Sequence, residues 1–190
     1  MKTVRAFLAV PLTDHIVATA HRIQQELAGR LPAVRWAASD TMHLTLKFFG
    51  DVSEPEIARI TDILRLAAPR LTAFDTEIAG FGAFPSPRKA TVLWLGVGNQ
   101  AAFRGLHAAL EEPLAAAGFR RDERPFTPHL TLGRSKTPLR LSDDLMEKYR
   151  HVFCEKMRAE KLVLFESRLR PEGAVHLPLY SIELPPGLKM

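Results

Sequence analysis

One tetrapeptide, His-Leu-Thr-Leu, occurs at residues 43–46 and again at residues 129–132, eighty-six positions later. Successive side chains on a strand point to opposite faces, so each copy asks for a strand with its leucines turned to a core. His43 and Thr45 then stand side by side on the other face, and His129 and Thr131 repeat the arrangement. The two copies fall in different halves of the chain, each preceded by a stretch with helical spacing, which suggests two pseudo-equivalent lobes. Packed about a pseudo-two-fold axis, such lobes would set two imidazoles and two hydroxyls across one cleft.

The apolar pattern around the repeat supplies the remaining elements. Val4 to Val10 reads as a buried strand closed by Pro11, and Ile16, Val17, Ala20, Ile23 and Leu27 line a helix that Thr13 or Asp14 can cap and Gly29 can stop. Met42 to Phe49 is a strand ended by Gly50-Asp51, and Ser53-Glu54-Pro55-Glu56 is a capping box opening a helix through Ile57, Ile60, Leu64 and Ala67. Phe74 to Phe84 and Ala90 to Val97 read as strands joined through Pro85 to Lys89. A third helix carries Phe103, Leu106, Leu110 and Leu114, with Pro113 expected to kink or shorten it. A strand from His129, a short helix over Leu145 to Tyr149 and a closing hairpin around Pro171-Glu172-Gly173 complete the chain. Hairpin-type connections exclude a purely parallel sheet. No linker or charge block divides the 190 residues, so one domain of α+β class spanning 1–190 is expected.

Composition narrows the function. With 46% hydrophobic and 25% charged residues the chain can bury a core, and no apolar run approaches the roughly 18 residues of a membrane span. About six apolar residues before Pro11 are too few for a signal peptide, so a cytoplasmic protein without a membrane partner is expected. Cys154 alone excludes an internal disulfide framework and a multi-thiolate metal site. The formal net charge of +5 favours anionic partners such as nucleic acid or phosphate compounds.

Two histidines that titrate near neutrality can serve as base and acid in one displacement, and threonine hydroxyls can donate to non-bridging phosphate oxygens as charge builds there. Arg134, three residues after Thr131, falls on the opposite face of an ideal strand, but a bulge or strand end at Gly133 would turn it inward to form a bidentate pair with phosphate. A cyclic phosphodiester suits this set, since its opening needs one acid and one base and no metal. A zinc site on His43 and His129 would need a further ligand that no spacing supplies. His15, His21, His107, His151 and His176 lack a repeated context and read as surface or helix residues, Lys47 as a solvated lysine, and Cys154 as an ordinary thiol.

The paired His-x-Thr-x motifs resemble the 2H phosphoesterase superfamily. Residues 5–10, 43–50, 92–96 and 125–134 are similar to the bacterial and archaeal RNA 2′,3′-cyclic phosphodiesterases, also called 2′-5′ RNA ligases. The resemblance implies a bilobal α+β fold, with antiparallel sheets facing a central cleft and helices outside. It also implies hydrolysis of 2′,3′-cyclic phosphate ends to 2′-phosphates without metal, ATP or other cofactor, and a weak reverse reaction that seals 2′-5′ linkages. Carried over by motif, His43 and His129 are catalytic, Thr45 and Thr131 hold the phosphate, and Arg134 assists; Phe48 and Trp94 are candidate walls for a nucleoside. The partner implied is RNA with cyclic phosphate ends, tRNA-derived or reduced to a small nucleotide, acted on by a monomer. Two other readings share these residues: a 2′-5′ RNA ligase using the same site, and an RNA-binding module whose histidines are incidental.

Overall fold

Ala6 to Val10 are all buried, because strand β1 is covered on both faces and paired along both edges. A computed structural model of the chain describes residues 3–171 and 173–187. The first half contains β1 (Thr3–Pro11), α1 (Asp14–Ala28), β2 (Val34–Trp36), β3 (His43–Ser53), α2 (Glu54–Ala67), β4 (Phe74–Phe84) and β5 (Ala90–Val97). The second contains α3 (Gln100–Ala116), β6 (His129–Leu139), α4 (Asp143–Tyr149), β7 (Phe153–Ala159), β8 (Lys161–Arg170) and β9 (Gly173–Glu183). Met1, Lys2 and Glu172, which entered the expectations for the N-terminal stretch and the closing turn, lie outside the described residues.

The fold is α+β, with an antiparallel sheet and four helices among the described residues. The sheet runs β7-β4-β5-β6-β3-β1-β8-β9, with β2 added to β6. The expectation of two separate sheets is refined here: they are continuous, but β3 and β6 meet through the single pair Leu44 with Leu130. Outward from that pair the order is β3-β1-β8-β9 on one side and β6-β5-β4-β7 on the other. The chain order β1-α1-β3-α2 is answered by β5-α3-β6-α4. β3 and β6 also share one burial sequence over their first nine residues.

Local chemistry explains the element ends. Thr13 Oγ1 accepts from the Ile16 N–H at 3.4 Å at the start of α1, and the Ser53 N–H donates to Glu56 Oε2 at 2.8 Å at the start of α2, the reciprocal half of a capping box. Gly50 does not end its strand: at φ +74° it carries β3 past Ala6 and on to Ser53. Pro113 does not shorten α3, which continues to Ala116, since a proline so near the end removes one hydrogen bond and Ala117 N–H still closes on the Pro113 carbonyl at 3.1 Å.

Packing then sorts the repeat as alternation requires. Leu44, Leu46, Leu130 and Leu132 are all buried, whereas His43, Thr45, His129 and Thr131 are half-buried on the opposite face. Gly96, opposite His129 in the β5–β6 register, lies against backbone: a Cβ there would sit 2.5 Å from the Ala79 carbonyl oxygen. Gly96→Ala should therefore cost about 1–3 kcal/mol of stability, read as a lowered urea midpoint with an unchanged m-value. An unshifted midpoint would mean that β4 and β5 have room to separate.

Candidate active site

Both histidine-bearing strands break their regular pairing at the same place. In β3 Thr45 faces Ala9 but Lys47 faces Leu8, so Leu46 is an extra residue; in β6 Thr131 faces Trp94 but Gly133 faces Leu93, so Leu132 is extra. Each bulge shifts the alternation by one, and the third residue after the threonine returns to the face of the His and Thr. That residue is Phe48 in β3 and Arg134 in β6; the bulge that turns Arg134 inward falls at Leu132, one residue before the Gly133 to which the sequence pointed. The carbonyl freed at Leu132 accepts from Gln24 Nε2 and from the Ala37 N–H, each at 2.8 Å. Gln24 is buried on α1, a polar residue on the apolar face that sequence reasoning passed over.

The two imidazoles are held alike. His43 Nδ1 lies 2.7 Å from the Thr41 carbonyl oxygen and His129 Nδ1 lies 2.8 Å from that of Thr127. A carbonyl can only accept, so each Nδ1 carries the proton and each Nε2 is left to exchange one with a ligand. His43 stacks on Phe7 with centroids 4.5 Å apart, while His129 meets the edge of Phe84 at 5.1 Å. Burial, the neighbouring His176 and the charge of His129 hold the His43 pKa down to about 4, against the pull of the Thr41 bond. Burial lowers His129 as well, with the Arg134 cation adding to it. In antiparallel register about the Leu44–Leu130 pair the two histidines are diagonal neighbours, which sets their backbones about 7–8 Å apart.

A cleft of about 270 Å³ opens over this face, and His43, Thr45, Phe48, Thr131 and Arg134 all line it. Phe48 is 56% exposed, an unusual position for a phenylalanine and one that leaves its ring free to meet a ligand. Trp94 stands beside Thr131 in register, with its ring over Gly82, where a Cβ would come within 2.2 Å, and against Phe84; neither Trp94 nor His129 is part of the lining of this cleft. The missing side chain at Gly82 is the space that Trp94 fills. His176 is a correction, since β9 carries it into the cleft with its ring 5.0 Å from that of His43. Arg5, from β1, lines the cleft too. Neither residue sits in a repeat, and only the β1 and β9 pairings bring them there.

Lys47 is not solvated. At 4% exposure its ammonium donates to Glu111 Oε2 at 2.7 Å and to the Arg120 carbonyl at 2.8 Å, and it lies 3.7 Å from Asp122. Asp122 also bonds His107, which stacks flat on Phe126 at 4.5 Å, so His107 is likewise not a free surface residue. This network ties β3, just past Thr45, to the segment leading into His129. His107, Glu111 and Asp122 converge closely enough to hold a cation, and the Lys47 ammonium already fills that role.

Residues 11–170 match the model of the 2′-5′ RNA ligase superfamily, and the chain belongs to that family. Over 91% of its length it is 39% identical to the RNA 2′,3′-cyclic phosphodiesterase of Methanothermobacter thermautotrophicus, covering 95% of that protein. It is 34% identical to the enzyme of that name from Archaeoglobus fulgidus, over 94% of this chain and 99% of the other. The fold is similar to that of TT0787 of Thermus thermophilus, with a TM-score of 0.80 and 24% identity over 96% of this chain and 98% of that one. Apo LigT of E. coli superimposes with a TM-score of 0.76 and 24% identity over 97% and 99% of the two chains.

Two expectations follow from these electrostatics. The unfolded chain binds a proton at His43 near pH 6.5 and the folded chain only near 4, so this contribution is complete above pH 6.5 and is lost as pH falls toward 4. At about 1.4 kcal/mol per pKa unit, wild type should lose about 2–3 kcal/mol more than His43→Gln across that window in urea titrations. Equal losses would mean that His43 protonates freely in the folded protein. Lys47→Met should destabilise by about 3–5 kcal/mol because it strands Glu111, and Lys47→Met with Glu111→Leu should recover much of that. A double variant no better than the single would show that the carboxylate is not the source of the loss.

Proposed function

We propose that this chain is an RNA 2′,3′-cyclic phosphodiesterase in which His43 and His129 are the acid–base pair. The observation that carries this reading is the matched pair of imidazoles, each with Nδ1–H engaged by the carbonyl two residues back and Nε2 free. We read the chain as one domain of two pseudo-equivalent lobes meeting at the Leu44–Leu130 pair; the mirrored strand order and shared burial sequence support that division. We read the protein as cytoplasmic, which its single cysteine fits, and as a monomer whose partner is RNA ending in a cyclic phosphate.

The chemistry runs as an in-line displacement. His129 Nε2 takes a proton from water, the water oxygen bonds to phosphorus, the bond from phosphorus to the 3′ oxygen breaks, and His43 Nε2 supplies that oxygen with a proton. The product is a 2′-phosphate, and one proton has passed from one imidazole to the other. Thr45 and Thr131 donate their hydroxyl protons to the non-bridging oxygens and Arg134 pairs with them, so the charge gathered at the transition state meets donors already in position. Phe48 offers its ring to the terminal base. Burial disfavours the protonated form of both histidines, and the negative charge of a substrate favours it again.

Turnover of a nucleoside 2′,3′-cyclic phosphate, measured with chelator present, tests this. His43→Ala and His129→Ala should each lose at least about 100-fold in kcat, and Arg134→Ala about 10–100-fold in kcat/KM. The kcat/KM of wild type should be bell-shaped in pH, with limbs belonging to the pair. A phosphodiester with a nitrophenol leaving group, which needs no proton, should rescue His43→Ala and not His129→Ala; rescue of the opposite variant exchanges the two roles. Near-wild-type turnover by either alanine variant overturns the mechanism.

A further inference from the structure

Up to their bulges the two histidine-bearing strands are alike; beyond them they are opposite in charge. Residues 48–56, FFGDVSEPE, carry three carboxylates and no cation, while residues 134–142, RSKTPLRLS, the equivalent segment eighty-six positions on, carry three cations and no carboxylate. A polyanion whose end lies between the strands is therefore repelled along β3 and attracted along β6.

β6 leads from Arg134, in the histidine cleft, to a second cleft of about 590 Å³ that Arg88, Arg140 and Arg150 line together with Ser142 and Asp143. Arg88 belongs to the turn joining β4 to β5 and Arg140 to the segment after β6; the Leu141 N–H donates to the Pro87 carbonyl at 2.8 Å and fastens the two together. Arg150 is paired with Glu147 at 2.9 Å. Arg88 and Arg140 have no ion pair or side-chain hydrogen bond among the described residues, so two free guanidinium groups share a concavity with a single carboxylate, Asp143. In the β5–β6 register Gly96 faces His129 and Ala90 faces Leu139, so the six residue steps between them, at roughly 3.3 Å each, put this cleft about 20 Å from His129. A mononucleotide cannot bridge that span, whereas a strand of several nucleotides can.

We propose that the arginine cleft binds backbone phosphates of an RNA strand whose 3′ end occupies the histidine cleft, the strand following β6. This rests on the phosphodiesterase reading above and makes the substrate an RNA oligomer held at two places. Guanidinium groups suit phosphate through paired N–H donors, and unpaired ones bring no internal partner to be displaced.

The test compares wild type with Arg88→Ala/Arg140→Ala on a nucleoside 2′,3′-cyclic phosphate and on an RNA of about twelve nucleotides with the same terminus, across a salt series. The double variant should turn over the mononucleotide as wild type does, which also shows that it is folded. On the oligomer it should lose about 10-fold or more in kcat/KM, chiefly through KM, and its logarithmic salt slope should be shallower by about 1.4, the share of two phosphate contacts on a single strand. Oligomer kinetics and salt slope equal to wild type overturn the proposal. If wild type turns over neither substrate, the phosphodiesterase reading fails by itself, and anisotropy binding of the same RNA ending in a 3′-hydroxyl decides the cleft: weaker binding by the variant supports it and equal binding overturns it.

Discussion

Leu44 and Leu130 form the pair through which β3 and β6 meet, and the placing of the two His–Thr pairs follows from it. Had the strands paired one residue out of this register, their leucines and histidines would have exchanged faces, since the side-chain period is two. With this register both buried leucines point to the core, and His43, Thr45, His129 and Thr131 gather on the other side. Because the pairing is so short, the strands part at once, β2 takes up the next stretch of β6, and a cleft is left over the parting.

The bulges supply what a regular strand could not. Alternation alone would send the third residue after each threonine to the core side, and Leu46 and Leu132 absorb the extra position so that Phe48 and Arg134 come back to the cleft. A bulge leaves backbone groups unpaired, and a buried polar group without a partner is costly. Gln24 meets that need at Leu132; beside Leu46, Lys47 is neutralised by Glu111 from α3. Equivalent sites thus end in different chemistry, an aromatic ring on one strand and a cation on the other.

The sequence made the repeat legible because period-two alternation is local, and four residues suffice to assign faces. It also showed the Arg134 problem and its remedy, since a glycine after the motif marks a place where a strand can bulge. Lys47 escaped notice because its partners, Glu111 and Asp122, come from far along the chain and only α3 packing brings them near. His176 and Arg5 escaped for the same reason, entering the cleft through β9 and β1. Strand composition also cannot distinguish a ring lining a cleft from one lying over a glycine, as Trp94 lies over Gly82. The strands β2 and β7 were missed because one has 3 residues and the other interleaves Glu155, Lys156 and Arg158 with its buried positions.

Nitrogen NMR of the histidine side chains during titration with orthovanadate, which takes up the five-coordinate geometry of phosphoryl transfer, puts the central claim to its most direct test. If His43 and His129 face one phosphorus, both Nε2 resonances should shift together in one saturating step while both Nδ1 resonances keep their hydrogen-bonded positions. A titration that moves only one imidazole, or moves the two at different vanadate concentrations, would contradict a shared site.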